Sequence, residues 1–119
     1  MAALAMEAVD QIPVCPFVMA FAAKFAGVPY GKYCTDYREM AKAQIACVTH
    51  FGYDIVTADT DAYREAEACG AEIEFPEDSL PVEKRAALAE KKDLVKLELP
   101  EIQNAPRLAD KVAGVKELK

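Results

Sequence analysis

The sequence predicts an α/β fold in which helices cover a sheet, and three observations predict it. Residues 53–58, YDIVTA, form a short segment centred on β-branched Ile55 and Val56, as a central parallel strand requires. An alanine-rich helix over residues 63–69 follows, stopped by Gly70. Residues 72–75 then read as a second strand, with Ile73 and Phe75 on one side and Glu72 and Glu74 on the other. Upstream, the stretch after Asp36 carries Met40, Gln44, Cys47, Val48 and Phe51 at helical spacing, an apolar face that needs a sheet or another helix to cover it. Strands alternating with helices are the pattern of crossover units.

The elements follow in chain order. Residues 12–18, IPVCPFV, are either a short strand, with its prolines hostile to a central ladder, or an extended lead-in segment. Residues 21–25 are helical and stop at the punctuation of Gly27 and Pro29, and Gly31 gives a flexible point before Tyr33 and Cys34. Asp36 with Glu39 has the sequence form of a capping box, and Gly52 ends the long helix. Residues 76–81 form a turn-rich surface loop, and residues 82–90 are predicted helical after Ser79. Residues 94–99 alternate apolar and charged side chains, which suits a strand or a helical turn. Asn104 is expected to cap a last helix beginning near Ala105 or Pro106, its apolar face made by Leu108, Val112, Val115 and Leu118.

Composition excludes several function classes. With 20 acidic against 14 basic residues the net charge is -6, and no arginine-rich stripe is present, so a nucleic-acid surface is not expected. No apolar run reaches the roughly 18 residues of a membrane span. Residues 1–9 are apolar but contain Glu7 and lack a basic leader, so no signal peptide is expected. Cys15, Cys34, Cys47 and Cys69 form no CxxC pair, and the favoured reading is buried, reduced thiols in a cytoplasmic protein.

Asp61 is the first candidate for a functional carboxylate. It follows the 53–58 strand and precedes a helix, so it can point into a pocket at a strand's C-terminal end; ordinary helix capping by Thr60 or Asp61 is the competing reading. Asp54 and Asp59 are weaker candidates: Asp54 ends the preceding turn, Asp59 organises the loop through backbone bonds, and the two together with Asp61 lack the spacing of a calcium loop. Tyr30, Tyr33 and Tyr37 line either a pocket for a flat macrocycle or simply the core. His50, the one histidine, sits in a last helical turn, where the helix end favours it. There is no phosphate-binding glycine loop and no histidine-centred triad.

The order and spacing of DQIPVCP, AGVPYGKYCTDYREMAKAQIACVTHFGYDIV, DTDAYREAEACGAEIEFPEDSLP and DLVKLELPE resemble the uroporphyrinogen decarboxylase superfamily. Within it they are most similar to the branch of corrinoid-dependent methyltransferases, such as methylcobamide:coenzyme M methyltransferases. The resemblance implies an α/β fold that is the N-terminal portion of a TIM (β/α)8 barrel with extra N-terminal helices, residues 1–119 being one partial barrel domain. A complete barrel takes about 250 residues, so the expected barrel is incomplete here.

In the decarboxylases a central aspartate binds the pyrrole N–H groups of the tetrapyrrole and helps stabilise its protonated intermediate. Counting back from the family's ALG-type turn, here Ala68, Cys69 and Gly70, that aspartate falls on Asp61. The decarboxylases also carry an arginine-rich RQAGRY segment for substrate carboxylates, whereas residues 13–19, PVCPFVM, hold no arginine. The resemblance therefore implies the methyltransferase branch, in which a zinc-activated thiol accepts a methyl group from a methylated corrinoid. The zinc ligands of that branch lie later in the barrel, so no metal or cofactor is expected on this segment. Asp61 is the implied catalytic carboxylate, with Asp59 and Tyr33 shaping a substrate or cofactor pocket.

Three functions stand in order: the N-terminal part of a corrinoid-to-thiol methyltransferase, a uroporphyrinogen decarboxylase of tetrapyrrole biosynthesis, and a non-catalytic binding or assembly module. The expected partners are a missing barrel segment, a second chain or another copy, together with a corrinoid or tetrapyrrole ligand. The 119 residues alone are expected to be inactive.

Overall fold

Local capping chemistry sets the frame of the molecule, a computed structural model that describes residues 2–119; Met1, the first residue of the apolar leading stretch, lies outside the described residues. Helix α1 spans Met19–Phe25, α2 Tyr30–Thr35 and α3 Tyr37–Phe51. Asp36 caps α3 by accepting from the Arg38 N–H at 2.9 Å, as expected. The reciprocal arm of the capping box is not made, because the Asp36 N–H already donates to the Lys32 carbonyl of α2 and Glu39 pairs with Lys42 instead. Gly52 ends α3 at φ 68°, the left-handed conformation that glycine adopts without a Cβ clash.

Helix α2 is the element the sequence concealed. Gly31 reads as a flexible point, yet it is an approach point: its N–H donates to the Glu77 carbonyl at 3.0 Å, and a Cβ there would lie 2.7 Å from the Pro76 carbonyl oxygen. The core forms where the three helices meet, from Ala22 and Ala23 of α1, Tyr30, Tyr33 and Cys34 of α2, and Met40, Ala43 and Cys47 of α3.

The remaining elements are α4 (Arg64–Ala68), β1 (Glu72–Glu74), β2 (Val82–Arg85) and α5 (Pro106–Glu117), with 3-10 turns at Ala2–Ala5, Lys91–Lys96 and Ile102–Asn104. The turn at Lys91–Lys96 takes the first half of the ambiguous 94–99 stretch, and residues 97–99 form neither helix nor strand. The predicted helix over residues 82–90 is replaced by β2 and a loop. Strand β2 pairs antiparallel with β1, placing Arg85 opposite Glu72 and Val82 opposite Glu74. Lys84 pairs with Glu74, and Arg85 with Glu72 at 3.5 Å; cross-strand charge pairing overrides the helical preference of the sequence.

The expected strand at residues 53–58 is irregular, with a bend at Asp54, and enters no ladder. Its neighbour is the lead-in segment: the Asp54 and Ile55 N–H groups donate to the Val14 carbonyl at 3.0 and 3.3 Å, and the Val14 N–H donates to the Asp54 carboxylate at 2.9 Å. A strand is defined by the partner it bonds, and among the described residues the sheet has two strands, β1 and β2. The fold is therefore a small mixed helix and sheet domain whose core is helical.

Helix α5 begins at Pro106 as expected, but Ala105 holds the cap position and Asn104 donates to Glu101 instead. Its buried side also differs from the predicted apolar face. Val112 and Val115 are exposed, and Arg107 and Gly114 are buried. Gly114 lets α5 approach Met40 of α3, while polar contacts from Arg107 and Asp110 fix the helix rotation. Among the described residues no helix is long and apolar enough to cross a membrane.

Candidate functional site

The loop that leaves the 53–58 segment converges on Thr60 and Asp61, between α2, α4 and α5. The Asp61 side chain is 3% exposed, with both oxygens engaged. Oδ1 accepts from the Tyr63 N–H at 2.9 Å, the turn that starts α4, and Oδ2 accepts from the Thr60 hydroxyl at 2.7 Å and from Arg107. Burial alone would raise the Asp61 pKa, but the hydrogen bonds from Thr60 and Tyr63 and the Arg107 charge outweigh it and hold the carboxyl below its ordinary range. Helix α4 has Tyr63 at its cap position and no side-chain cap, so Asp61 closes the turn before the helix and neither it nor Thr60 caps it.

Arg107 and Arg64 carry no local signal in the sequence, and they complete the cluster. Arg107 spends every donor nitrogen: Nη2 on Asp61, Nη1 on Glu67 at 3.0 Å and Nε on the Cys34 carbonyl at 3.2 Å, with its guanidinium over the Phe75 ring at 4.5 Å. Arg64 Nη2 donates to the Thr60 hydroxyl oxygen at 2.8 Å, so Thr60 relays between Arg64 and Asp61.

The two predicted pocket residues lie on one side of this cluster. Asp59 pairs its carboxylate with Lys111 at 3.0 Å, and its carbonyl accepts from the Tyr33 hydroxyl at 3.1 Å. Tyr33 is 0% exposed, stacked on Tyr30 at 5.6 Å between centroids, and accepts from Gln44 at 2.8 Å. The Tyr30 hydroxyl donates to the Thr60 carbonyl. Both rings serve the core and anchor the backbone that presents Asp59, Thr60 and Asp61. Tyr37 stands apart, its ring beneath the Arg38 guanidinium at 4.5 Å.

The other candidates are dispersed. Burial pushes the Cys34 thiol up to about 12, so at neutral pH it is not a nucleophile. His50 is exposed and packs against Phe25 and Phe51. Among the described residues no group of three or more histidine, cysteine, aspartate or glutamate side chains is placed to hold a metal ion, so these residues do not fit a zinc centre.

A helical core that presents a buried carboxylate and two arginines beside a two-stranded sheet describes a class: a mixed α/β unit with a polar cluster at a loop exit. The family model for uroporphyrinogen decarboxylase (URO-D) matches residues 1–119, and the chain belongs to that family. A solved structure, a methyltransferase from Methanosarcina mazei, is similar to it with a TM-score of 0.80 and 25% sequence identity over 98% of this chain. The chain spans 36% of that methyltransferase's length. No curated protein matches the chain.

Proposed function

We propose that these residues are the N-terminal part of a corrinoid-dependent methyltransferase of the uroporphyrinogen decarboxylase family, which moves a methyl group from a methylated corrinoid to a thiol. The observation that carries the reading is the likeness of 98% of the chain to a methyltransferase. On this reading residues 1–119 are one partial domain of a TIM barrel, and the 53–58 segment is a barrel strand whose ladder partners come from the rest of the protein. A thiol-activating zinc ion would be held by residues other than those described, and no step is assigned to it.

The polar cluster supports this branch over decarboxylation. A porphyrinogen with many carboxylates needs uncommitted cations. Arg107 is neutralised by Asp61 and Glu67 and Lys111 by Asp59, while Arg64, which makes no ion pair among the described residues, is 3% exposed and so closed to a substrate carboxylate. Asp61 itself has both oxygens occupied from within the fold, so it acts here as a positioning residue that fixes the 59–63 loop. Tyr33 supports the same loop from behind through the Asp59 carbonyl.

The test is an assay of the full-length protein with methylcobalamin and a thiol acceptor, beside a carbon dioxide release assay with uroporphyrinogen. Thiol methylation coupled to loss of the methylcobalamin absorbance is the expected result. Carbon dioxide release without methyl transfer would overturn the reading in favour of the decarboxylase.

A further inference from the structure

Thr60, 1% exposed, is held at both of its oxygens. Its carbonyl accepts from the Tyr30 hydroxyl and, at 3.8 Å, from the Cys34 thiol. Its hydroxyl oxygen lies 2.7 Å from Asp61 Oδ2, 2.8 Å from Arg64 Nη2 and 3.5 Å from Arg107 Nη2. A guanidinium only donates, so the hydroxyl oxygen accepts from both arginines and its single proton goes to Asp61. Asp61 Oδ1 accepts from the Tyr63 N–H, and Oδ2 accepts from Arg107 as well, so neither oxygen is placed to carry a proton of its own. The direction of the hydroxyl and the charge of the carboxylate define each other.

The two arginines are compensated unequally. Arg107 holds the Asp61 and Glu67 carboxylates. Arg64 is buried and makes no ion pair among the described residues, whereas a buried cation is normally paired. Its charge reaches a carboxylate through the Thr60 hydroxyl, because a hydroxyl polarised by a cation donates more strongly to Asp61. One residue earlier, the Asp59 carbonyl accepts from the Tyr33 hydroxyl at 3.1 Å, and the half-exposed Asp59 carboxylate pairs with Lys111 at 3.0 Å. Thr60 therefore stands between a buried carboxylate and one that meets solvent, on a backbone pinned from the core by Tyr30, Tyr33 and Cys34.

We infer that Thr60 is a positioning residue of the candidate site: its hydroxyl couples Arg64 of α4 to Asp61 and so sets the 59–61 backbone from which the Asp59 carboxylate reaches solvent. The methyl group of Thr60 is incidental to this role, and the hydroxyl is the working part. The coupling stands on the hydrogen bonds alone; its consequence for turnover rests on the methyl-transfer reading, and the two are measured separately.

Two variants of the full-length protein separate the hydroxyl from the volume it fills. Thr60→Val keeps the shape and removes the hydroxyl; Thr60→Ser keeps the hydroxyl and removes a methyl. A side chain that only fills space would make serine the worse replacement, and the positioning role predicts the reverse order. Methyl transfer from methylcobalamin to a thiol is expected to fall about tenfold or more in Thr60→Val and to be largely restored in Thr60→Ser. The second readout needs no turnover. Burial would raise the Asp61 pKa, and the Thr60 hydrogen bond is the largest of the effects that hold it below its ordinary range. The stability Asp61 contributes is present above the unfolded pKa of about 3.9 and lost as pH falls through the folded value. Thr60→Val moves the folded value up toward the unfolded one, so the acid limb of unfolding flattens, while Thr60→Ser keeps the limb of the wild type. Equal limbs in the two variants overturn the coupling, whether or not the protein transfers methyl groups. A flattened limb with undiminished methyl transfer in Thr60→Val overturns the role in the reaction. Should Thr60→Val fail to fold, judged by circular dichroism, Thr60→Ser decides: a wild-type limb and turnover support the hydroxyl, and loss of either overturns it.

Discussion

At Asp61 one carboxylate answers three donors, and removing its charge tests how much the cluster depends on it. Asp61→Asn leaves Arg107 with Glu67 as its remaining carboxylate partner. Breaking a buried pair costs about 3–5 kcal/mol, with the surviving Glu67 placing this one toward the low end. Urea unfolding at pH 7 measures it. The pH dependence has a definite sign. The folded pKa lies below the unfolded value of about 3.9, so the stability Asp61 contributes is present above that pH and is lost as pH falls through the lower folded value. Asp61→Asn should flatten this acid limb relative to wild type, and an unchanged limb would show that another group sets it. Tyr33 gives a second residue-scale prediction. Tyr33→Phe removes the acceptor of Gln44 Nε2 and the donor to the Asp59 carbonyl, leaving Gln44 with no side-chain partner. The expected loss is about 1–3 kcal/mol, read from the same unfolding curves.

Elements whose signals are local were legible in the sequence, and those built by distant partners were not. Helix α3 is written in Asp36 at its start and Gly52 at its end, both a few residues from what they satisfy. Asp36→Ala should cost about 1 kcal/mol in thermal unfolding through the lost cap. Strand β2 reads as helix in the sequence because its pairing with β1 rests on Glu72 and Glu74, some ten residues away. The inner side of α5 departs from the predicted face, of which Leu118 packs on the core, because Arg107 and Gly114 are buried for reasons held by Asp61 and Met40, not by their own periodicity. The candidate site divides in the same way. Asp61 was visible from its place between the 53–58 segment and a helix, whereas Arg64 and Arg107 join it through a fold contact that no short spacing encodes. Gly31 is the sharpest case, since its role is the nearness of Pro76. Gly31→Ala would press a Cβ against a backbone carbonyl that cannot rotate aside, and about 1–3 kcal/mol of destabilisation is expected. A neutral result would mean that the loop at residues 75–77 yields freely.

For the whole molecule the question is whether 119 residues of this shape are self-sufficient. A compact domain of that length has a radius of gyration of about 13.5 Å, and this one has 16.6 Å with extents of 51 × 36 × 23 Å. The excess goes with exposed apolar surface. Phe21, Phe25 and Phe51 form a ring cluster at centroid distances of 5.2 to 6.1 Å, yet Phe21 is 53% and Phe51 52% exposed. We expect the rest of the proposed barrel protein to cover this face, and that expectation separates two contexts. In the 119-residue chain, replacing Phe21 and Phe51 by serine removes half-exposed rings and their mutual contact, a cost of about 1 kcal/mol, and lowers self-association. In the full-length protein the same rings would be buried, and each replacement would cost about 3 kcal/mol or more. Paired unfolding measurements of the double variant in both lengths, with light scattering on the short chain, read the difference directly. Equal costs in the two contexts would place the aromatic face in solvent throughout and remove the barrel wall from the proposal; a much larger cost in the longer protein would show that residues beyond the helical core close over it.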